Sequence, residues 1–295
     1  MRLLLALLIP LTVWSQTPQK LSVACKPDTI EKLGLTCSFD DPCPVFLELT
    51  DVELVGPRMF LTGNIHTATV TLESVLLSSE DLGKTWTEPS ARLENAALDT
   101  LQFIDYEVGW ASGQLVQSFP RDPFFLLTKD GGKTWHRSPI SAESRIGAID
   151  KFHFDSRTSG RMLVDKIQAD ENGTRYELYE SQTGGESWSI REVSPKPIPW
   201  KAPAPVRDLR IRADAPSKSY HIERRDGGKW SSLASFSISA GDCRPPEPKV
   251  LEEPPPSDET EAKPDEKPKE AQDPGVFVVK NPDSDKKAPP KKKKK

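Results

Sequence analysis

The sequence is short of most residues from which catalytic and metal-binding sites are built. Its 295 residues include four cysteines, and no two are spaced C-x-x-C, which argues against a zinc site. Four histidines, His66, His136, His153 and His221, lack any H-x-x-x-H spacing and read as ordinary strand or surface residues. Only four tyrosines are present, Tyr106, Tyr176, Tyr179 and Tyr220. No phosphate-binding loop and no serine nucleophile elbow occurs. Apolar residues make up 36%, low for a globular chain. The formal net charge of -4 gives no basic surplus of the kind that marks nucleic-acid binding. After the first residues no run is apolar and long enough to cross a membrane as a helix, and no long stretch shows helical periodicity.

What is present divides the chain. Residues 1–16 set one Arg before an apolar run from Leu3 to Trp14, the plan of a secretory signal peptide. That run is too short to span a bilayer, which takes roughly 20 residues. Lys20 and a polar stretch separate it from Cys25, which argues against a lipid anchor there. Export to a periplasmic or extracellular space is the expectation, with no transmembrane segment once the signal is removed. Residues 17–43 form a cysteine-containing segment. In an exported chain an even number of cysteines permits disulfides. The expected pairing is Cys25 with Cys37 and Cys43 with Cys243, the second tying the start of the folded region to its end.

Beyond Cys243 the composition turns to Pro, Glu, Lys and Asp, with too little apolar surface to offset the entropy of ordering. Residues 244–295 are therefore expected to be a disordered tail. It carries a short apolar island at Gly275–Pro282 and ends in a lysine run. Weak contact with anionic polymers or lipid head groups is the role expected of those lysines, not specific nucleic-acid binding.

Within residues 44–243 four tryptophans mark a repeat. Trp86, Trp135, Trp188 and Trp230 lie 49, 53 and 42 residues apart, the length of one four-stranded propeller blade. Between them run short apolar stretches broken by turn residues, as in Val52–Gly63, Leu101–Gly113 and Phe152–Val164. A third stretch, alternating in "RYELYES", leads into each tryptophan. The expected fold is all-β, a small β-propeller of about four blades.

The turn before each tryptophan repeats too. In the first, Ser79 and Asp81 offer side-chain oxygens to nearby backbone N–H groups, Gly83 supplies a positive φ, and Thr85 and Trp86 begin the next strand. The second has Thr128, Asp130, Gly132, Thr134 and Trp135. The third has Ser181, Gly185, Ser187 and Trp188 but Thr183 where the Asp would stand. The fourth keeps Asp226, Gly228 and Trp230 and is one residue short.

These stretches resemble the Asp-box, or bacterial neuraminidase repeat, of sialidases, sortilin-like receptors and propeller-type photosystem II assembly factors. "YEVGWASG" ahead of "TKDGGKTW" is most like the assembly-factor branch. The resemblance covers about residues 45–239. It implies that the motif is a structural turn on the propeller rim, so Asp81 and Asp130 are not expected to be catalytic. A sialidase would further need an arginine cluster and a tyrosine nucleophile with a partner carboxylate. Tyr106 falls in a turn and Tyr176 and Tyr179 in a strand, the arginines are scattered, and sialidases have six blades. No cofactor and no metal is expected. The reading is a non-catalytic module that binds another envelope or extracellular protein, with a carbohydrate-binding or glycoside-hydrolysing propeller as the rival. Loops at Ser118–Phe124 and Ser194–Pro205 are candidate binding surfaces, and Trp200 is either a binding anchor or a clasp on its own blade. "NGT" at Asn172–Thr174 fits both a glycosylation acceptor and a turn.

Overall fold

A computed structural model describes residues 17–23, 25–201, 203, 207–245 and 247. The expected signal peptide and nearly all of the expected tail lie outside the described residues. The N-terminal segment contains one short helix, α1 (Pro27–Lys32), begun by a proline whose missing N–H costs nothing at that position.

Fifteen strands follow: β1 (Cys43–Val55), β2 (Arg58–His66), β3 (Thr71–Ser79), β4 (Ala96–Phe103), β5 (Gly109–Val116), β6 (Pro120–Thr128), β7 (His136–Pro139), β8 (Ala148–Phe154), β9 (Gly160–Asp165), β10 (Tyr176–Ser181), β11 (Ser189–Ser194), β12 (Leu209–Asp214), β13 (Ser219–Asp226), β14 (Lys229–Ser237) and β15 (Ser239–Cys243). They form four antiparallel sheets, the blades of a small β-propeller. Blade 1 is β15-β1-β2-β3, blade 2 is β4-β5-β6-β7, blade 3 is β8-β9-β10-β11 and blade 4 is β12-β13-β14. The last strand returns to the first blade: Cys243 pairs with Cys43 and Ser239 with Phe46.

The core lies between the blades. Val45, Leu47, Ile222 and Phe236 fill the seam between blades 4 and 1. Phe60, Leu98, Leu101 and Phe124 fill that between blades 1 and 2, and Trp110, Phe125, Phe152 and Phe154 that between blades 2 and 3. Between blades 3 and 4 no apolar cluster and no hydrogen bond joins the sheets among the described residues. There the linker after β11 folds back, and Ile198 with Trp200 covers Leu163 and Leu178 of blade 3.

The first strands of blades 1 to 3 each carry a bulge at the same height, at Thr50, Asp99–Thr100 and Asp150. A bulge bends the strand and breaks its ladder, leaving backbone groups to be satisfied from elsewhere. Beyond their bulges β4 and β8 are also edge strands of their sheets, and side chains of the preceding blade satisfy backbone groups along them. The Leu101 N–H donates to Asp51 Oδ2 (2.8 Å) and the Phe103 N–H to Glu53 Oε1 (3.2 Å). One blade further on, Gln102 grips both backbone groups of Phe154, at 2.8 and 2.9 Å.

The disulfides differ from the expected pairing. Cys25 is bonded to Cys243 and Cys37 to Cys43. The physical reason is the β1–β15 register. It sets Cys43 and Cys243 side by side at the top of blade 1, and each then takes its partner from the N-terminal segment that packs over them. The segment is also held by a parallel bridge from Gln19 to Phe236.

Candidate functional site

The three tryptophan turns share one geometry. In each, the first hydroxyl accepts the N–H of the glycine four residues on: Ser79 from Gly83 (2.8 Å), Thr128 from Gly132 (2.8 Å) and Ser181 from Gly185 (2.9 Å). The third residue accepts from the residue four positions further on. Asp81 takes the Thr85 N–H and hydroxyl at 2.8 and 2.7 Å, and Asp130 takes those of Thr134 at 3.0 and 2.6 Å. In the third turn the Thr183 hydroxyl accepts the Ser187 N–H at 2.9 Å, so a neutral oxygen does the work of the carboxylate. Each indole N–H closes the turn on the glycine carbonyl, at 3.0 to 3.1 Å. The bonds from Thr85 hold the Asp81 carboxyl down at about 2, and those from Thr134 do the same for Asp130. Both groups are consumed in turn structure.

The indoles of Trp86, Trp135 and Trp188 are only half-buried. The deeper anchor comes from the neighbouring blade and was not singled out from sequence. Phe60 of β2 lies so close beneath Gly132 that a Cβ there would sit 2.3 Å from its ring. Trp110 of β5 is wholly buried, donates its indole N–H to Gly184 O (2.8 Å) and stacks on Phe154 at 3.7 Å. Each turn is thus a socket for the blade before it.

The fourth copy is not such a turn. Asp226 pairs with Lys229 across two glycines with φ of +54° and +83°, a two-residue hairpin of the I′ kind. The missing residue removes the room for the side-chain bonds. Trp230 instead lies on the sheet face against the Arg210 guanidinium, 4.1 Å from the ring centre. Trp200 sits half-buried on blade 3, with Lys151 Nζ 5.9 Å from its ring, in the clasp position.

The three turns occupy one end of the strands. At the other end, between blades 2 and 3, a cleft of about 320 Å³ opens beneath the loop 140–147. Pro123, Pro139, Ile140, Ile146 and Val164 supply an apolar wall, and the Ser118–Phe124 segment contributes Asp122 and Pro123. At its floor the Tyr179 hydroxyl donates to Glu177 Oε2 (2.5 Å) and accepts from Arg145 Nη1 (3.0 Å). Lys166 Nζ lies 3.0 Å from Glu177 Oε1, and Arg145 3.5 Å from Oε2. Burial pushes the Tyr179 phenol above its ordinary range. It is held neutral as a hydrogen-bond donor, and the carboxylate beside it is fully engaged. Arg137 lines the same cleft with its guanidinium 4.4 Å from the Phe124 ring centre and no ion pair among the described residues.

Sequence reasoning placed Tyr179 in a strand but did not bring it to Glu177, Arg145 and Lys166. The alternation of "YELY" puts Glu177 and Tyr179 on one face and was the available signal. Arg145, 34 residues away on a loop, left none. Tyr106 is found in its expected turn, 67% exposed at the opposite end, and Tyr176 lies against the Arg175 guanidinium. Among the described residues no group of three or more His, Cys, Asp or Glu side chains is arranged to hold a metal ion.

No family model matches the chain, and no curated protein does. Among solved structures it is similar to YCF48 bound to D1 peptide, at 17% identity and a TM-score of 0.36, over 65% of this chain and 56% of that one. It is also similar to an α-L-arabinanase of Penicillium chrysogenum complexed with arabinobiose, at 12% identity and a TM-score of 0.34, over 72% and 65%. YCF48 from Cyanidioschyzon merolae is similar at 13% identity and a TM-score of 0.28, over 66% and 72%. The chain thus spans little more than half the length of the first of these.

Proposed function

We propose that the protein is an exported, non-catalytic binding propeller whose partner, an envelope or extracellular protein, docks at the cleft between blades 2 and 3. The observation that carries this is the state of the cleft floor. Glu177 is held by three donors, two of them cationic, and Tyr179 is kept protonated, so neither is free to act as acid, base or nucleophile. What remains available is recognition: an apolar wall, the unneutralised Arg137 and the exposed Ile146 on the loop above. The rival reading is a glycoside-binding or glycoside-cleaving site. The meeting of a phenol, a carboxylate and a guanidinium in one cleft is what favours it.

One experiment separates the two. The exported protein carries a photo-crosslinker at Ile146 or, as control, at Tyr106 on the opposite end. The binding reading expects a discrete adduct from Ile146 alone, abolished by Tyr179→Ala, and no turnover of fluorogenic sialosides or arabinosides. Hydrolysis that disappears with Tyr179→Phe overturns it in favour of the enzyme.

A further inference from the structure

Propellers leave few strand edges free, because each blade presents only its outermost strand, and those strands are short or blunted. Two blades follow this rule. Beyond β3 the edge of the first blade is covered by two bridges, Glu73 to Glu94 and Ser78 to Thr87. Blade 2 ends in the four residues of β7, which begin with polar His136 and Arg137 and close on a proline. Blade 4 ends in the nine-residue β14, whose outer edge takes the Gln19 bridge at Phe236, whereas blade 3 leaves its edge open. Its outer strand β11 is six residues long, five of them exposed, and includes Ile190 at 47% and Val193 at 52% exposure. Its outward edge pairs with nothing among the described residues.

The sequence of that strand, Ser189-Ile190-Arg191-Glu192-Val193-Ser194, is complementary to itself when reversed. Set antiparallel to a second copy about a point between Arg191 and Glu192, each Ser189 meets Ser194, each Ile190 meets Val193 and each Arg191 meets Glu192. The bulge on β11 makes the faces agree. Tyr179 pairs with Ile190 and Glu177 with Val193, so both aliphatic residues share one face, while Leu178 pairs with Glu192 on the other. A regular strand would throw Ile190 and Val193 to opposite sides. The bulge deters pairing with a regular strand, and a second copy related by the two-fold carries the same bulge.

We infer that β11 is a self-association edge, on which two copies of this chain pair antiparallel into one continuous eight-stranded sheet. The contact is two-fold symmetric and closes on itself. One face carries a cluster of two Ile190 and two Val193 side chains, and the other two Arg191–Glu192 ion pairs. The inference is independent of the cleft reading, since β11 does not line that cleft.

Sedimentation of the full oxidised chain, from micromolar to millimolar concentration, tests it. The expected result is a reversible monomer–dimer equilibrium. Arg191→Glu, or Glu192→Arg, sets like charges opposite each other and weakens the dimer at least tenfold, while the double exchange Arg191→Glu/Glu192→Arg restores it. Mixing the two single variants gives a heterodimer although neither self-associates. Circular dichroism confirms that each variant folds. A chain that stays monomeric throughout, or a dimer indifferent to both single exchanges, overturns the proposal.

Discussion

At the scale of single residues, the tryptophans that announce the repeat are not the ones that carry most of the packing. Their spacing was legible because a turn that needs a hydroxyl, an acceptor, a glycine and an indole in fixed order leaves a signature in the chain. Trp110 was not, since nothing local requires it: its value comes from Phe154 and Gly184, 44 and 74 positions away. Truncating it opens a cavity and strips a buried carbonyl of its donor. Trp110→Ala is expected to cost about 3–5 kcal/mol, as for fully buried aromatics. Trp230→Ala, which removes an indole stacked on a surface arginine, is expected to cost under about 1 kcal/mol. Urea unfolding of the two variants measures both. Equal losses would show that the sockets are not where the fold is held.

At the scale of elements, strands and their connecting turns could be read from alternation and turn chemistry, whereas the bulges could not. A bulge is an extra residue relative to a partner strand, and the partner is unknown until the sheet is assembled. The same holds for side chains that reach from one blade to the edge strand of the next, among which Glu53 stands out. Burial raises its carboxyl from an ordinary 4.5 to about 7, while Phe103 N–H and Arg207 oppose that rise, and one of its oxygens, Oε2, is buried without a partner. The folded state therefore holds this proton more tightly than the unfolded chain. Stability should fall as pH rises from about 4.5 to 7, by up to about 3 kcal/mol from this residue. Glu53→Gln is expected to flatten that decline in thermal-unfolding midpoints taken between pH 5 and 8. A variant with the parent's slope would assign the effect elsewhere.

At the scale of the whole molecule, blades 4, 1, 2 and 3 are joined in that order by three filled seams, and a covalent bond fastens the chain's N-terminal segment to its last strand. Four blades were legible from the period of the tryptophans. The cysteine pairing was not, because spacing does not say whether Cys25 or Cys43 reaches Cys243, and that choice is made only when β1, β15 and the N-terminal segment come together. Peptide mapping without reductant is expected to recover Cys25 linked to Cys243 and Cys37 linked to Cys43. Replacing Cys25 and Cys243 by Ser is expected to cost roughly 2–5 kcal/mol, read from the unfolding midpoint. A Cys43–Cys243 peptide would refute the assignment.

That long cross-link also imposes an order on biogenesis. Translation starts at the N-terminus, so Cys25 emerges 218 residues before its mate exists, while Cys37 and Cys43 follow it almost at once. Correct maturation therefore requires that this first thiol either wait unreacted or be released from an early liaison after the final strand has docked. A compartment supplying oxidant without a means of reshuffling would accumulate misbonded chains, even though every one of them contains the right blades.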